Sequence, residues 1–287
     1  MTVTDSQDAP RPDEVGAAYD EFGDLYAMTI GDVGLHIGLW SPPGETRPAA
    51  TLTDLANRAQ ERQTDHHLDI LGLTSGDHLL DLGCGNGRPA VRIAQRSGAR
   101  VTGVTVSHSQ VTLGTDAAEA AGVADRVSFR HGNALGLDFA DDSFDAALSI
   151  EVFPHIDDRQ QAFREAARVL RPGGHFLMSD FTARGTAPAE QVAAFRQTWL
   201  CGLPTTPARN LAMADAAGLE AITVENQTQN LSFSGDLMEL LYTQRREEIT
   251  ARYGAEFFDR MSPVIKLMCA YTRDHLGYYL FLFRKSE

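Results

Sequence analysis

No run of the 287 residues approaches the roughly 18 consecutive apolar positions that a membrane-crossing helix needs, and even the stretch around 276–283 is far too short. The opening residues, MTVTDSQDAPRPDE, lack a basic start leading into an apolar run, so no secretory signal is expected. Cysteine is scarce: Cys84, Cys201 and Cys269 are too few and too scattered for a disulfide framework or a zinc site. Each reads as a buried, inert thiol. Positive charge is in deficit, with 25 Lys and Arg against 39 Asp and Glu and a formal charge of −14. Such an average surface repels nucleic-acid phosphates and anionic membrane, so neither is expected as a partner. No internal repeat is visible. The cytoplasm is the expected location, and association into a homo-oligomer is left open.

What the chain does contain is alternation. From His78 onward, short apolar runs follow helical stretches in the rhythm of a parallel sheet covered on both faces, an α/β class. Strands are predicted at 78–82, 100–106, 127–130, 144–150, 175–181, 220–225 and 277–284. A helix at 88–95 follows the first strand. The next opens at Ser107, with Gln110 three residues on in a capping-box pattern, and Gly122 suits its end. An amphipathic helix at 159–170 and an Arg171-Pro172-Gly173-Gly174 turn join the fourth and fifth strands. Thr206-Pro207 places a cap and then proline at a helix start. Two helical stretches, 236–253 and 255–273, separate the last two strands, where a hairpin would need only a few residues. The domain reading is therefore a disordered tail at 1–15, a helical cap at 16–72, a core of 73–229 with 274–287, and a helical lid at 230–273.

The chemistry-bearing signal is His78-Leu-Leu-Asp81-Leu-Gly83-Cys-Gly85-Asn-Gly87-Arg-Pro89. An apolar strand runs into spaced glycines, and a helix with proline in its first turn follows. Glycine is needed where backbone turns sharply or must approach a ligand with no side chain between. The helix N-terminus behind the loop offers free N–H groups to a carboxylate. In open parallel sheets, ligands sit in the crevice at the carboxyl ends of the strands. A pyrophosphate-binding fingerprint is spaced G-x-G-x-x-G, whereas here Gly83, Gly85 and Gly87 follow Asp81 at alternate positions.

That D-x-G-x-G-x-G form resembles the seven-strand methyltransferases that bind S-adenosylmethionine. Val101-Thr-Gly-Val-Thr-Val-Ser107, His131-Gly-Asn133-Ala134, Asp142-Ser-Phe-Asp145 and Val169-Leu-Arg-Pro-Gly-Gly174 carry the likeness in order from about 68 to 181. It is nearest to the branch that methylates natural products, such as rebeccamycin-type sugar O-methyltransferases. Sterol, tocopherol and cyclopropane-forming enzymes are more distant. The branch shares segments like Leu35-His-Ile-Gly-Leu-Trp40, a Glu-x-x-x-His after strand four, and a Tyr-rich end. The resemblance implies a Rossmann-like seven-stranded, mostly parallel sheet, with S-adenosylmethionine as cofactor and S-adenosylhomocysteine as product. It implies cofactor contacts from Asp81, Gly83, Gly85, Gly87, Asn133, Ala134 and Glu151. Two positions depart from the family. The acid that ends strand two and grips the ribose is replaced by Thr105, followed by Ser107 and Gln110; the adenine-loop acid is replaced by Asn133.

A sulfonium is already an activated methyl donor, so the enzyme must align acceptor and methyl and take a proton if the acceptor is a hydroxyl. No metal is required. The base belongs beyond strands four and five, where His155 and Asp180 lie. The sugar O-methyltransferases carry His and Asp at the matching positions, which implies a pair in which Asp180 orients the imidazole. Glu151 is the rival base. Tyr19 and Tyr26 are candidates for contacts near the methionine end; Trp40, Phe153, Phe181, Trp199 and Tyr242 are candidates for the acceptor. The leading expectation is O-methylation of a small natural product, a glycoside or polyketide-like acceptor, in secondary metabolism of the antibiotic-making kind. Two alternatives accompany it. One is C-methylation of an isopentenyl- or geranyl-type prenyl diphosphate with Mg²⁺, with Arg245-Arg246 as a basic site. The other is a non-methylating cyclase or binding protein on the same fold.

Overall fold

A computed structural model of the chain describes residues 10–40 and 49–287. Seven strands form one sheet: β1 (His78–Leu82), β2 (Arg100–Thr105), β3 (Val127–His131), β4 (Phe144–Ile150), β5 (Leu170–Ala183), β6 (Leu219–Asn226) and β7 (Leu276–Lys285). Their order across the sheet is β3-β2-β1-β4-β5-β7-β6. β1 to β5 run parallel, while β7 runs antiparallel to both β5 and β6. The central strands lie between helices on both faces, which is why β1 and β4 read as near-continuous apolar runs. The chain leaves β1 for β2 on one side and returns to β4 on the other. That reversal opens a crevice at the carboxyl ends of β1 and β4.

Ten helices are seen among the described residues: α1 (Pro12–Ile30), α2 (Leu52–Leu71), α3 (Arg88–Ser97), α4 (His108–Ala120), α5 (Arg159–Val169), α6 (Ala189–Trp199), α7 (Pro207–Asp215), α8 (Thr228–Gln244), α9 (Arg246–Tyr253) and α10 (Ala255–His275). Thr206 caps α7 as expected, its side chain accepting from Arg209 N. Ser107 caps α4 in the same way, accepting from Gln110 N at 3.1 Å. The second half of the predicted box does not form, because Gln110 Oε1 accepts from Thr105 Oγ1 at 2.5 Å instead.

Four expectations need correction. α1 begins at Pro12, inside the segment read as a tail; proline suits a first helical turn, where its missing N–H costs nothing. The remainder of that tail, 1–9, lies outside the described residues, as does 41–48. The Arg171–Gly174 turn sits inside β5 as a shift of register against β4. Three helices, not two, separate β6 from β7, because the chain breaks at Arg245 and again at Gly254. α6 was not anticipated at all.

The sheet packs two apolar layers, one against α5 and α7, the other against α2, α3 and α4. A further core joins α1, α6, α8 and α10 over the start of β7. The crevice is thus roofed by helices drawn from both ends of the chain.

Candidate functional site

The glycine loop after β1 divides its work. All three glycines have positive φ, at 72° for Gly83, 53° for Gly85 and 76° for Gly87. A Cβ at Gly83 would stand 2.3 Å from Val152 Cγ2, and one at Gly87 would stand 2.6 Å from Gly114 Cα. Those two glycines are required by packing. At Gly85 nothing comes nearer than Leu35 at 3.8 Å, and the residue faces a cleft with about 800 Å³ of empty space. Gly83, Gly85, Thr105, Gln110, Asn133, Ala134, Glu151 and Tyr19 all border this first pocket.

Asp81 lies beneath the loop, 2 % exposed, and no hydrogen bond reaches its carboxylate among the described residues. Burial pushes its pKa up to about 7. Ser107 does not border the pocket: its hydroxyl caps α4 and donates to Asp20 of α1. Asp20 also accepts from Ser109 N at 3.1 Å and Ser109 Oγ at 2.7 Å, which latches α1 to the end of β2. α1 comes so near there that a Cβ on Gly16 would stand 2.3 Å from Val106 O. Asn133 turns its side-chain carbonyl back to Leu135 N at 2.9 Å.

A second pocket adjoins the first, with about 540 Å³ of empty space. Tyr26, Phe181, Phe195, Trp199 and Met238 give it an apolar wall. Tyr26 stacks on Trp199 with centroids 5.4 Å apart, so it belongs to this pocket and not to the first. Four residues border both pockets: Tyr19, Leu35, Glu151 and His155. No lysine or arginine borders either one among the described residues.

His155 ends a short 3₁₀ turn, Phe153–His155, that is pinned from several sides. Phe153 N donates to Asp180 Oδ2 at 3.1 Å, Phe153 O accepts from Arg159 Nε at 3.1 Å, and Pro154 O accepts from Gly202 N at 2.8 Å. The imidazole Nδ1 stands 3.0 Å from Leu200 O, which can only accept, so Nδ1 carries the proton. Nε2 is then the acceptor facing Tyr19 OH at 3.4 Å. Burial holds the His155 pKa down at about 4.

The expected pairing of Asp180 with His155 is therefore not formed. The Asp180 oxygens accept from Phe153 N and Phe181 N, and the side chain steadies the turn, not the ring. Burial raises the Asp180 pKa to about 7 despite the nearby Arg159 guanidinium.

Glu151 has φ 59°, a left-handed conformation that costs a non-glycine residue about 1–3 kcal/mol and clusters at functional sites. One oxygen is doubly held: Oε1 accepts from Ile37 N at 2.8 Å and from the Tyr278 hydroxyl at 3.0 Å. Oε2 has no such partner among the described residues. Burial pushes the carboxyl up to about 8, more than those two donors bring it down.

Three acceptor candidates lie elsewhere. Phe153 is in the core, ringed by Phe163 and Phe176. Tyr242 stacks on Phe258 at 4.8 Å and donates its hydroxyl to Phe258 O, away from both pockets. Trp40 borders neither pocket and lines a smaller space beyond the second. Reading the sequence missed Leu35, Ile37, Phe195, Met238 and Thr272; an amphipathic reading of 189–199 would have flagged Phe195. Among the described residues no group of three or more His, Cys, Asp or Glu is placed to hold a metal ion, and no helix is long and apolar enough to cross a membrane.

Comparison with known proteins bears on this geometry. A family model described as a methyltransferase domain matches residues 80–178. The chain is 42 % identical over 172 residues to 27-O-demethylrifamycin SV methyltransferase of Amycolatopsis mediterranei, a match spanning 60 % of each protein. It is 36 % identical to methyltransferase GfsG of Streptomyces halstedii, over 77 % of this chain and 78 % of that one. Among solved structures, the 4+2 cyclase SpnF superposes over 99 % of both chains with a TM-score of 0.81 at 26 % identity.

Proposed function

The chain belongs to the methyltransferases, and from that premise we propose that it methylates a hydroxyl of a small, largely apolar natural product with S-adenosylmethionine as donor. The observation that carries the reading is the junction, where Tyr19, Leu35, Glu151 and His155 border both pockets at once. Two ligands bound on either side of those residues would meet there, with a neutral imidazole nitrogen at hand.

The first pocket fits the cofactor on its own features. Gly85 presents bare backbone to the cleft, and behind the loop, outside the pocket's lining, the buried Asp81 carboxylate has no hydrogen-bond partner among the described residues. Glu151 and Asp157 are the acidic residues along the pocket, and a cation bound beside Glu151 would favour its ionised form. Bound there, S-adenosylmethionine supplies a methyl group already activated on a positively charged sulfur. Gln110 keeps its amide donor for a ribose hydroxyl, since its carbonyl is engaged by Thr105. His155 Nε2 takes the acceptor's proton, and Leu200 O holds the ring in the tautomer that makes this possible. Tyr19 and Glu151 orient the ligands at the junction.

The apolar second pocket, bordered by no Lys or Arg among the described residues, favours an uncharged acceptor over a prenyl diphosphate, whose charges would need offsetting. Methylation at oxygen accords with the relative whose name specifies 27-O-demethylrifamycin SV as what it methylates. The likeness to a cyclase favours one second reading, catalysis of ring closure in the same apolar pocket without methyl transfer. Incubation with methyl-labelled cofactor and a panel of hydroxylated polyketides and glycosides, with and without excess EDTA, decides. Label transferred to an acceptor oxygen, undiminished by EDTA, is expected. Cyclised but unlabelled product, or methylation confined to prenyl diphosphates with Mg²⁺, refutes it.

A further inference from the structure

The carboxylate at the junction has a task that proton removal by His155 leaves open. Glu151 follows β4 at φ 59° and borders both pockets. One oxygen is spent: Oε1 accepts from Ile37 N at 2.8 Å and from the Tyr278 hydroxyl at 3.0 Å. Both donors are neutral. They hold the group in place without balancing its charge, and Oε2 is left to whatever fills the junction.

Among the described residues, the groups that face Glu151 supply no positive charge. Tyr278 of β7 and Tyr19 of α1 are phenols that burial keeps protonated. Asp180 of β5 is a second acid and opposes ionisation of the first. His155 and His36, the latter beside Ile37, are neutral imidazoles with pKa values of about 4. Asp157 along the first pocket adds only like charge, and no Lys or Arg borders either pocket. An ionised Glu151 must therefore take its counter-charge from a ligand. S-adenosylmethionine brings two cationic groups, an ammonium that S-adenosylhomocysteine shares and a sulfonium that it lacks.

We infer that Glu151 is a charge selector, its free oxygen pairing with the sulfonium of the donor, so that the site binds S-adenosylmethionine in preference to S-adenosylhomocysteine. The inference rests on the first pocket being the cofactor site, with the reacting sulfur at the junction. Transfer itself removes the charge. The C–S bond breaks as the C–O bond forms, sulfur is left as a neutral thioether, and the hydroxyl proton leaves by way of His155 Nε2 to solvent. Glu151 then stands without a cation and takes up a proton, since in the ligand-free site its carboxyl titrates at about 8.

An opposite charge close by lowers a carboxyl pKa by about 1–3. A fall from about 8 to about 6 makes donor binding at pH 7 release about 0.8 proton from Glu151 and gain about tenfold in affinity. The gain is about fiftyfold at pH 8 and about twofold at pH 6. The measurement is calorimetric titration of the native protein and Glu151→Gln with S-adenosylmethionine and with S-adenosylhomocysteine. Buffers of different ionisation heat count the protons apart from the affinity. The native protein should release about 0.8 proton more with the donor than with the product. Glu151→Gln should abolish that difference and cut the preference for donor over product about tenfold at pH 7. Equal proton release with both ligands, or equal weakening of both by Glu151→Gln, overturns the selector and leaves the cofactor site standing. Failure of the native protein to bind either ligand overturns the cofactor site and the selector together. The proton count in the native protein needs no substitution, so it stands even if Glu151→Gln fails to fold.

Discussion

The pH dependence of methyl transfer separates the two groups at the junction that are able to take a proton. Burial lowers His155 to about 4 and raises Glu151 to about 8. A base acts in its deprotonated form, so its rate falls as pH drops through its pKa. With His155 as base, about 99 % of the imidazole is still neutral at pH 6, and the rate at pH 6 roughly equals that at pH 8. An unburied histidine at the ordinary 6.5 would lose about fourfold over the same interval. With Glu151 as base, half is ionised at pH 8 and about 1 % at pH 6, a loss of about fiftyfold. A sulfonium bound beside them lowers both values, which leaves the histidine result flat and shrinks the glutamate loss. The assay is single-turnover transfer from labelled cofactor at the two pH values, repeated in Glu151→Gln. A flat ratio in both proteins is expected. A steep loss that Glu151→Gln abolishes, together with most of the activity, would refute histidine as the base.

Other substitutions test the remaining roles. Gly85→Val should abolish calorimetrically measured cofactor binding in a folded protein, because its Cβ meets no protein wall and projects toward the ligand; Gly87→Val should instead fail to fold well, since Gly114 and Phe129 leave no room. His155→Ala should cut the single-turnover rate by about 10²-fold or more at unchanged cofactor affinity, whereas Tyr19→Phe, which loses one long hydrogen bond, should cost about tenfold or less. Asp180→Asn leaves one of two buried N–H donors unmatched, about 1–3 kcal/mol. By melting, that is a fall of roughly 2–12 °C for a domain of this size, with the shape of the pH profile unaltered.

The sheet was legible because buried parallel strands are short, apolar and bounded by glycines, and β1 and β4 were bounded to the residue. The glycine loop was legible for the same reason. α6 was not: its alternation of Ala, Gln, Val and Phe lies between Thr- and Pro-rich segments that read as loop. Aromatic candidates were the least secure, since spacing does not tell a residue facing a cavity from one facing the core. Trp199 and Phe181 face a cavity; Tyr242 and Phe153 face the core. The expected Asp180–His155 pair shows the same limit at finer scale. Adjacency of the β4 and β5 ends follows from strand order, but which way a carboxylate turns depends on nearby backbone donors. Here the N–H groups of Phe153 and Phe181 claim both oxygens, and the carbonyl of Leu200, a residue held at φ 45°, claims the ring.

How donor and acceptor sites keep a common register is answered by one buried amide. Gln60 of α2, fully buried, accepts from Val33 N and Gly34 N through Oε1, and donates through Nε2 to the carbonyls of Ile30, Gly34 and His36. It stands in for a secondary-structure partner that the irregular segment 31–40 lacks. That segment then serves each space in turn. Leu35 borders the first and second pockets, Ile37 N holds the Glu151 carboxylate at their junction, and the Ile37 and Trp40 side chains line the small space beyond the second. His36 within it is kept neutral by burial, its pKa about 4, so no titration near neutrality loosens the arrangement. Methyl transfer with an already activated donor depends on alignment more than on any single acid or base, and misplacement by about an ångström costs about a hundredfold. A segment held by Gln60 and shared by the first and second pockets supplies that alignment. It also explains why a stretch with so little regular structure is pinned by a side chain that leaves none of its hydrogen-bonding capacity unused.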